Sequence, residues 1–323
     1  MSVRKSVLSG IALSVALVGA GSAIAAAHPG HSEPAPGAPA DAGNKKVVKV
    51  DTTGPATFLV ADLNGKNEVS NEGKKNVGDQ DGKAKQIIKI QGNQVSFGIQ
   101  WNGIAAPTAA HIHEGVAGKN GAVKVPFFAS PLPGTLNAVT GAVTVDDKAL
   151  LDSLKKNPGN FYANLHNGEF AAGAVRAQFR KVERADVGSV LNNGDNRFFS
   201  FGTGNQEVPG DPAKKVNDPD GFSIFGLKVG NDRINFSIKW SNVSAPTNGH
   251  LHKGGIGVNG PVVADLFAAP AGLPASVNAV AGSAAVPQAV TAELKKNPIG
   301  HYSNLHTTEF SGGATRGQVF HIG

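Results

Sequence analysis

Six of the ten histidines in this 323-residue chain fall into two matching sets. His111 and His113 flank Ile112 in AHIHEG, and His250 and His252 flank Leu251 in GHLHKG. His166 and His306 each close a Y-x-N-x-H motif. Residues two apart on a strand share a face, so each H-x-H pair points one way while Ile112 or Leu251 takes the core. Their Cα atoms would stand about 7 Å apart, which lets both imidazoles reach one ion, and a third histidine would complete a trigonal set suited to copper or zinc.

Around each set the same polar residues recur. Tyr162, Asn164 and His166 share a face against Ala163 and Leu165, and Arg176 and Gln178 oppose Val175 and Ala177. Their counterparts are Tyr302, Asn304, His306, Arg316 and Gln318. If those strands are neighbours, their faces merge into one patch. Two readings of it stand side by side: a metal site with a ligand-binding surround, or a hydrogen-bonded lattice with Glu169 and Glu309. An arginine on the same face repels a cation and weighs against the first.

Other chemistry is excluded by what the chain lacks. No G-x-S-x-G, P-loop or H-E-x-x-H motif occurs, and with no cysteine there is neither a thiol nucleophile nor a thiolate metal site. Glu114 is matched by Lys253, so no carboxylate follows the H-x-H in both copies. No acid-base pair is visible, and an enzyme is not the expectation.

The residues above recur because the whole unit does. Trp101–His113 returns 139 residues later as Trp240–His252, and Lys155–Phe179 returns 140 later as Lys295–Val319. The boundaries read as two domains, 57–180 and 197–323, joined by a linker at 181–196. Each has about the length at which one domain buries a core of its own. The 42 glycines and 19 prolines suit short strands and many turns. In QVSFGIQW the apolar residues are Val95, Phe97, Ile99 and Trp101, and RINFSIKW repeats the alternation, as half-buried strands do. One short helix per copy is expected at Asp147–Lys156 and Gln288–Lys296, each closed by Asn-Pro. The expected fold is all-β, two tandem antiparallel sandwiches.

Residues 1–27 carry Arg4 and Lys5, an apolar run from Val7 to Val18 and a small-residue end, the build of a secretory signal peptide. Cleavage after Ala25 or Ala27 is acceptable, and a retained anchor is the alternative. Cleavage after Ala27 would leave His28 as an amino-terminal copper chelator, with His31 nearby. Residues 28–56 read as a disordered Pro/Ala/Gly-rich tether. The net charge of +6 is scattered among acids with no basic stripe, so nucleic acid is not an expected partner. No later segment is long and apolar enough to span a bilayer as a helix.

The order H-I-H-E-G or H-L-H-K-G, an Asn-Pro turn, Y-x-N-x-H and a G-G-x-x-R-G-Q ending resembles the CHRD domain, found in chordin and in exported bacterial proteins. Copy one departs with AAGAVRAQ at 171–178 and copy two with NPIGHY at 297–302. The resemblance implies an immunoglobulin-like β-sandwich acting outside the cytoplasm. A weaker similarity links H-I-H-E-G and the GGATRGQVFHIG ending to Cu/Zn superoxide dismutases. It implies His111, His113 and His166, and likewise His250, His252 and His306, as copper ligands, with Arg176 or Arg316 as anion guide. The fourth copper ligand, zinc loop and disulfide of those enzymes are missing.

The expectation is therefore an exported, non-enzymatic binding or structural module, the three histidines of each domain standing as candidate metal ligands, that meets an extracellular protein or an envelope polymer. The alternative is a copper or zinc metalloprotein or a superoxide dismutase-like redox enzyme.

Overall fold

A computed structural model describes residues 48–70, 76–192 and 194–322. The expected signal peptide with its cleavage sites, His28 and His31, and the greater part of the tether lie outside them. The first unit comprises β1 (Thr57–Asn64), β2 (Lys83–Gln91), β3 (Gln94–Asn102), β4 (Ala109–Glu114), β5 (Val123–Phe128), β6 (Leu136–Thr144), α1 (Lys148–Lys156), β7 (Phe161–His166), β8 (Val175–Gln178) and β9 (Arg180–Val182). The second repeats it as β10 (Phe198–Thr203), β11 (Phe222–Val229), β12 (Arg233–Ser241), β13 (Pro246–Lys253), β14 (Val262–Ala268), β15 (Val277–Ala285), α2 (Gln288–Lys296), β16 (His301–Thr307) and β17 (Thr315–His321).

Every strand ladder among the described residues is antiparallel. In the first unit β6-β3-β2-β1 run in that order. From β1 the ladder passes through β8 and β9 to β7, β4 and β5. The second unit follows the same order, β15-β12-β11-β10 and then β17-β16-β13-β14. The alternating strands point their apolar halves inward: Val95, Phe97, Ile99 and Trp101 are buried, as are Ile234, Phe236, Ile238 and Trp240. These are two antiparallel β-sandwiches, each with one helix. In α1, Asp147 accepts from the Leu150 amide, Leu151 and Leu154 face the core, and Lys155 and Lys156 sit at the negative end of the helix dipole. Pro287 stands at the corresponding cap of α2 and offers no side-chain acceptor.

The two sandwiches join edge to edge, β6 against β15, about a pseudo-twofold axis. Gly141 faces Val277 while Gly282 faces Leu136, and these four residues are two equivalent pairs. The hydrogen bonds are equivalent too: Ala142 N donates to Ser276 O at 2.9 Å, and Ser283 N to Thr135 O at 2.8 Å. The linker covers the seam. Its short 3-10 turn at Val187–Leu191 buries Val190 and Leu191 against Val60, Ile87 and Ala138 of one unit and Ala279 and Ala281 of the other. Two boundaries shift from expectation. The first sandwich extends past Arg180 because β9 pairs with β1 as far as Val182. The last part of the expected tether is held down, because Asn93 accepts from the Asp51 amide and donates to the Lys49 carbonyl.

The seam requires glycine. A Cβ on Gly141 would lie 1.9 Å from the Ser276 carbonyl oxygen, and one on Gly282 would lie 2.2 Å from that of Thr135. Gly141→Val should therefore cost about 1–3 kcal/mol. Thermal denaturation should show a lowered midpoint and two separated transitions in place of a shared one.

Candidate metal centre

The β4-β7-β8 ladder brings the predicted residues onto one face. His111 lies opposite Asn164 and His113 opposite Tyr162, while Tyr162 faces Gln178 and Asn164 faces Arg176. The second unit repeats these pairs as His250 with Asn304, His252 with Tyr302, Tyr302 with Gln318 and Asn304 with Arg316. All eight polar residues and all six histidines gather as the alternation of side chains demands.

Within the patch the histidines separate from the rest. One ring nitrogen from each of His111, His113 and His166 lies within 4.8 Å of the other two, and the same holds for His250, His252 and His306. His113 Nδ1 stands 3.0 Å from the Gly121 carbonyl oxygen, and His166 Nδ1 3.0 Å from that of Ala171. A carbonyl only accepts, so each Nδ1 carries the proton and each Nε2 a bare lone pair. His252 and His306 are held alike by the carbonyls of Gly260 and Ser311, both at 3.0 Å. His111 Nδ1 then meets His166 Nε2 at 3.4 Å, and His250 Nδ1 meets His306 Nε2 at 3.3 Å. An ion bound to three nitrogens in a plane at about 2.0–2.1 Å would space them about 3.5 Å apart.

His113 Nε2 and His252 Nε2 are buried without a hydrogen-bond partner. An unpaired buried nitrogen costs free energy that a bound ion would recover, so the residues present fit a metal. Five of the six rings are also kept neutral. Burial above all, with neighbouring imidazoles second, lowers the pKa of His111 and of His306 to about 4, and His113, His250 and His252 are lowered by burial as well.

The remaining polar residues face a different task. Arg176 and Arg316 are each only 1% exposed. The Arg176 guanidinium lies 3.4 Å from the Tyr162 ring centroid and donates to the carbonyls of Val116 and Lys119 and to Asn120 Oδ1. Arg316 does the same over Tyr302 at 3.6 Å, holding Gly255, Val258 and Asn259. Gln178 Nε2 donates to the carbonyls of Gly115 and Gly159, and Gln318 Nε2 to those of Gly254 and Ile299. Each tyrosine hydroxyl accepts from the amide of Gly121 or Gly260. On its other face Tyr162 stacks on His113, centroids 4.8 Å apart and planes 8° off parallel, and Tyr302 stacks on His252 at 4.7 Å and 7°. The arginine donors are thus aimed into the loop after the histidine strand, and that loop supplies the carbonyl that orients a histidine. A glycine must supply it, since a Cβ on Gly121 or Gly260 would sit 1.6 Å from the carbonyl oxygen of Glu114 or Lys253.

Sequence reasoning passed over Glu68 and Glu207. Each carboxylate is half-buried and accepts from the patch asparagine, Asn164 at 3.4 Å or Asn304 at 2.8 Å. Burial raises Glu68 to about 7 and Glu207 to about 8, against the pull of the adjacent arginine. The signal was in the duplication: NEV at 67–69 returns as QEV at 206–208, and the loop asparagines Asn120 and Asn259 recur at the same offset of 139. Asn120 Nδ2 donates to Val69 O and Asn259 Nδ2 to Val208 O, each at 2.9 Å, which ties the glutamate segment to the loop. Glu309, an expected lattice partner, instead pairs with Lys215.

Fold and site together define a tandem of cysteine-free antiparallel sandwiches, each with three convergent imidazoles beside an arginine-braced loop. The CHRD domain model matches residues 59–179 and again 198–319, and the chain belongs to the CHRD domain family. No curated protein and no solved structure matches it.

The raised glutamates set a pH dependence. A folded-state pKa above the unfolded value of 4.5 means that the folded chain holds the proton more tightly, so this contribution to stability falls as pH rises from about 4.5 to 7 for Glu68. The cost of the ionised group is on the order of 3 kcal/mol at most. Urea unfolding of Glu68→Gln should show a stability difference from the unsubstituted protein that grows in the variant's favour between pH 5 and 8. The slopes from the histidines are common to both and cancel.

Proposed function

We propose that this chain is an exported metal-binding protein holding one copper or zinc ion on the three histidines of each CHRD unit. The convergence of three nitrogens within 4.8 Å, with lone pairs turned inward by backbone carbonyls, carries the reading. The ligands would be His111, His113 and His166 in the first site and His250, His252 and His306 in the second. Neutral imidazole suits both metals, and a three-nitrogen set leaves a coordination position for a further ligand. The ion would supply Lewis acidity, and in the case of copper an accessible redox change.

The protein's own residues then do three things. Gly121 and Gly260 orient one imidazole through their carbonyls. Tyr162 and Tyr302 pack the opposite face of that ring. Arg176 and Arg316, with Gln178 and Gln318, close the loop that carries the glycine. This use of the arginine supports binding over dismutation, because its donors are directed at the loop's carbonyls rather than at an incoming anion. Export is supported by the leader-like residues 1–27, and no helix among the described residues is long and apolar enough to cross a membrane. Two linked sites would also let the protein engage an extracellular protein or a repeating envelope polymer at two points.

Elemental analysis of the tag-free protein should find close to two metal ions per chain. His111→Ala with His113→Ala should leave one, as should His250→Ala with His252→Ala. Metal content unaffected by either pair would overturn the reading. Gly121→Ala should also lose metal at the first site while the second keeps its own.

A further inference from the structure

The two histidine sets differ in what stands behind the first histidine of each H-x-H pair. Directly across the β4-β5 ladder from His111 stands Pro126; at the equivalent position of the β13-β14 ladder, across from His250, stands Asp265. Asp265 Oδ1 lies 3.3 Å from His250 Nε2. The carboxylate accepts the proton at Nε2, which leaves the lone pair of His250 at Nδ1, the atom that faces His306 Nε2. Proline has no side-chain acceptor, so nothing at that position selects the tautomer of His111, and its Nδ1 reaches the lone-pair form only as one of two alternatives. A ligand imidazole whose far nitrogen is held by a carboxylate is both pre-oriented and more basic, and loss of such a partner costs 10–100-fold in affinity.

Resting on the metal reading above, we infer that the two sites are unequal, with the second the high-affinity site and Asp265 its positioning residue. The protein then fills in order of affinity, His250, His252 and His306 first, and the first site fills at a higher free-metal concentration. The two sites so divide a single chain into a tight store and a weaker, more readily exchanged one. The pair itself contributes little to folding, because the Asp265 side chain is 78% exposed. Its influence is on which nitrogen of His250 is free.

Competition titration of the full chain with Cu²⁺ against a chelator of known affinity tests this. The expected isotherm has two steps about 10–100-fold apart. The tight step should vanish in His250→Ala with His252→Ala, and the weak one in His111→Ala with His113→Ala. Asp265→Asn should weaken the second site about tenfold or more and leave the first unchanged, while Asp265→Glu, which keeps a carboxylate, should restore most of the loss. Pro126→Asp should tighten the first site. Two equal affinities, or an Asp265→Asn protein that folds normally by circular dichroism and keeps its tight step, would overturn the inequality while leaving the metal reading intact. A chain that takes up no metal would remove both.

Discussion

A backbone carbonyl that accepts a proton from one nitrogen of an imidazole decides where the other nitrogen's lone pair points. Four such bonds, from Gly121 and Ala171 in one unit and Gly260 and Ser311 in the other, turn exposed-face histidines into converging donors. The rest of each sandwich serves that arrangement. The ladder supplies the spacing of the rings, and the core beneath holds Ile112 and Leu251 so that the rings cannot rotate inward. The loop after β4 or β13 supplies the carbonyl.

The larger apolar residues of that loop, Val116 in one unit and Ile256 and Val258 in the other, are exposed, and its geometry comes from polar groups taken out of water. A buried guanidinium is costly unless its donors are satisfied. Here they meet loop carbonyls and an asparagine, while the cation lies on a tyrosine ring. The tyrosine passes the constraint on, stacked on His113 with its hydroxyl on the loop glycine. Arginine, tyrosine, glycine and histidine thus form one mechanical unit, to which the half-buried glutamate is tied through the patch asparagine. The chain's two tyrosines are both spent on this role.

Much of this was legible in the sequence. The period-two strands, both helices, the doubled architecture and the shared face of His111, His113, Tyr162, Asn164 and Arg176 follow from alternation and repetition alone. What alternation could not convey is direction in the third dimension. Arg176 stands on the right face but reaches over Tyr162 into a loop about 60 residues earlier in the chain, a distance that no local pattern encodes. Glu68 lies on a segment with no strand periodicity, so only its recurrence as Glu207 could have marked it. The seam was hidden for a related reason. Gly141 and Gly282 read as ordinary strand glycines until β6 and β15 meet, and only then does the absence of a Cβ become a requirement. The asymmetry between Pro126 and Asp265 was visible in the sequence, yet meaningless until the β4-β5 and β13-β14 registers placed both behind equivalent histidines.

The central claim is that three imidazoles per unit converge on one ion. X-ray absorption at the edge of the metal bound to the purified chain reads this directly. The account predicts a shell of three nitrogens at about 2.0 Å with the outer-shell scattering of imidazole rings. A shell dominated by oxygen donors, or one with a single imidazole, would contradict it.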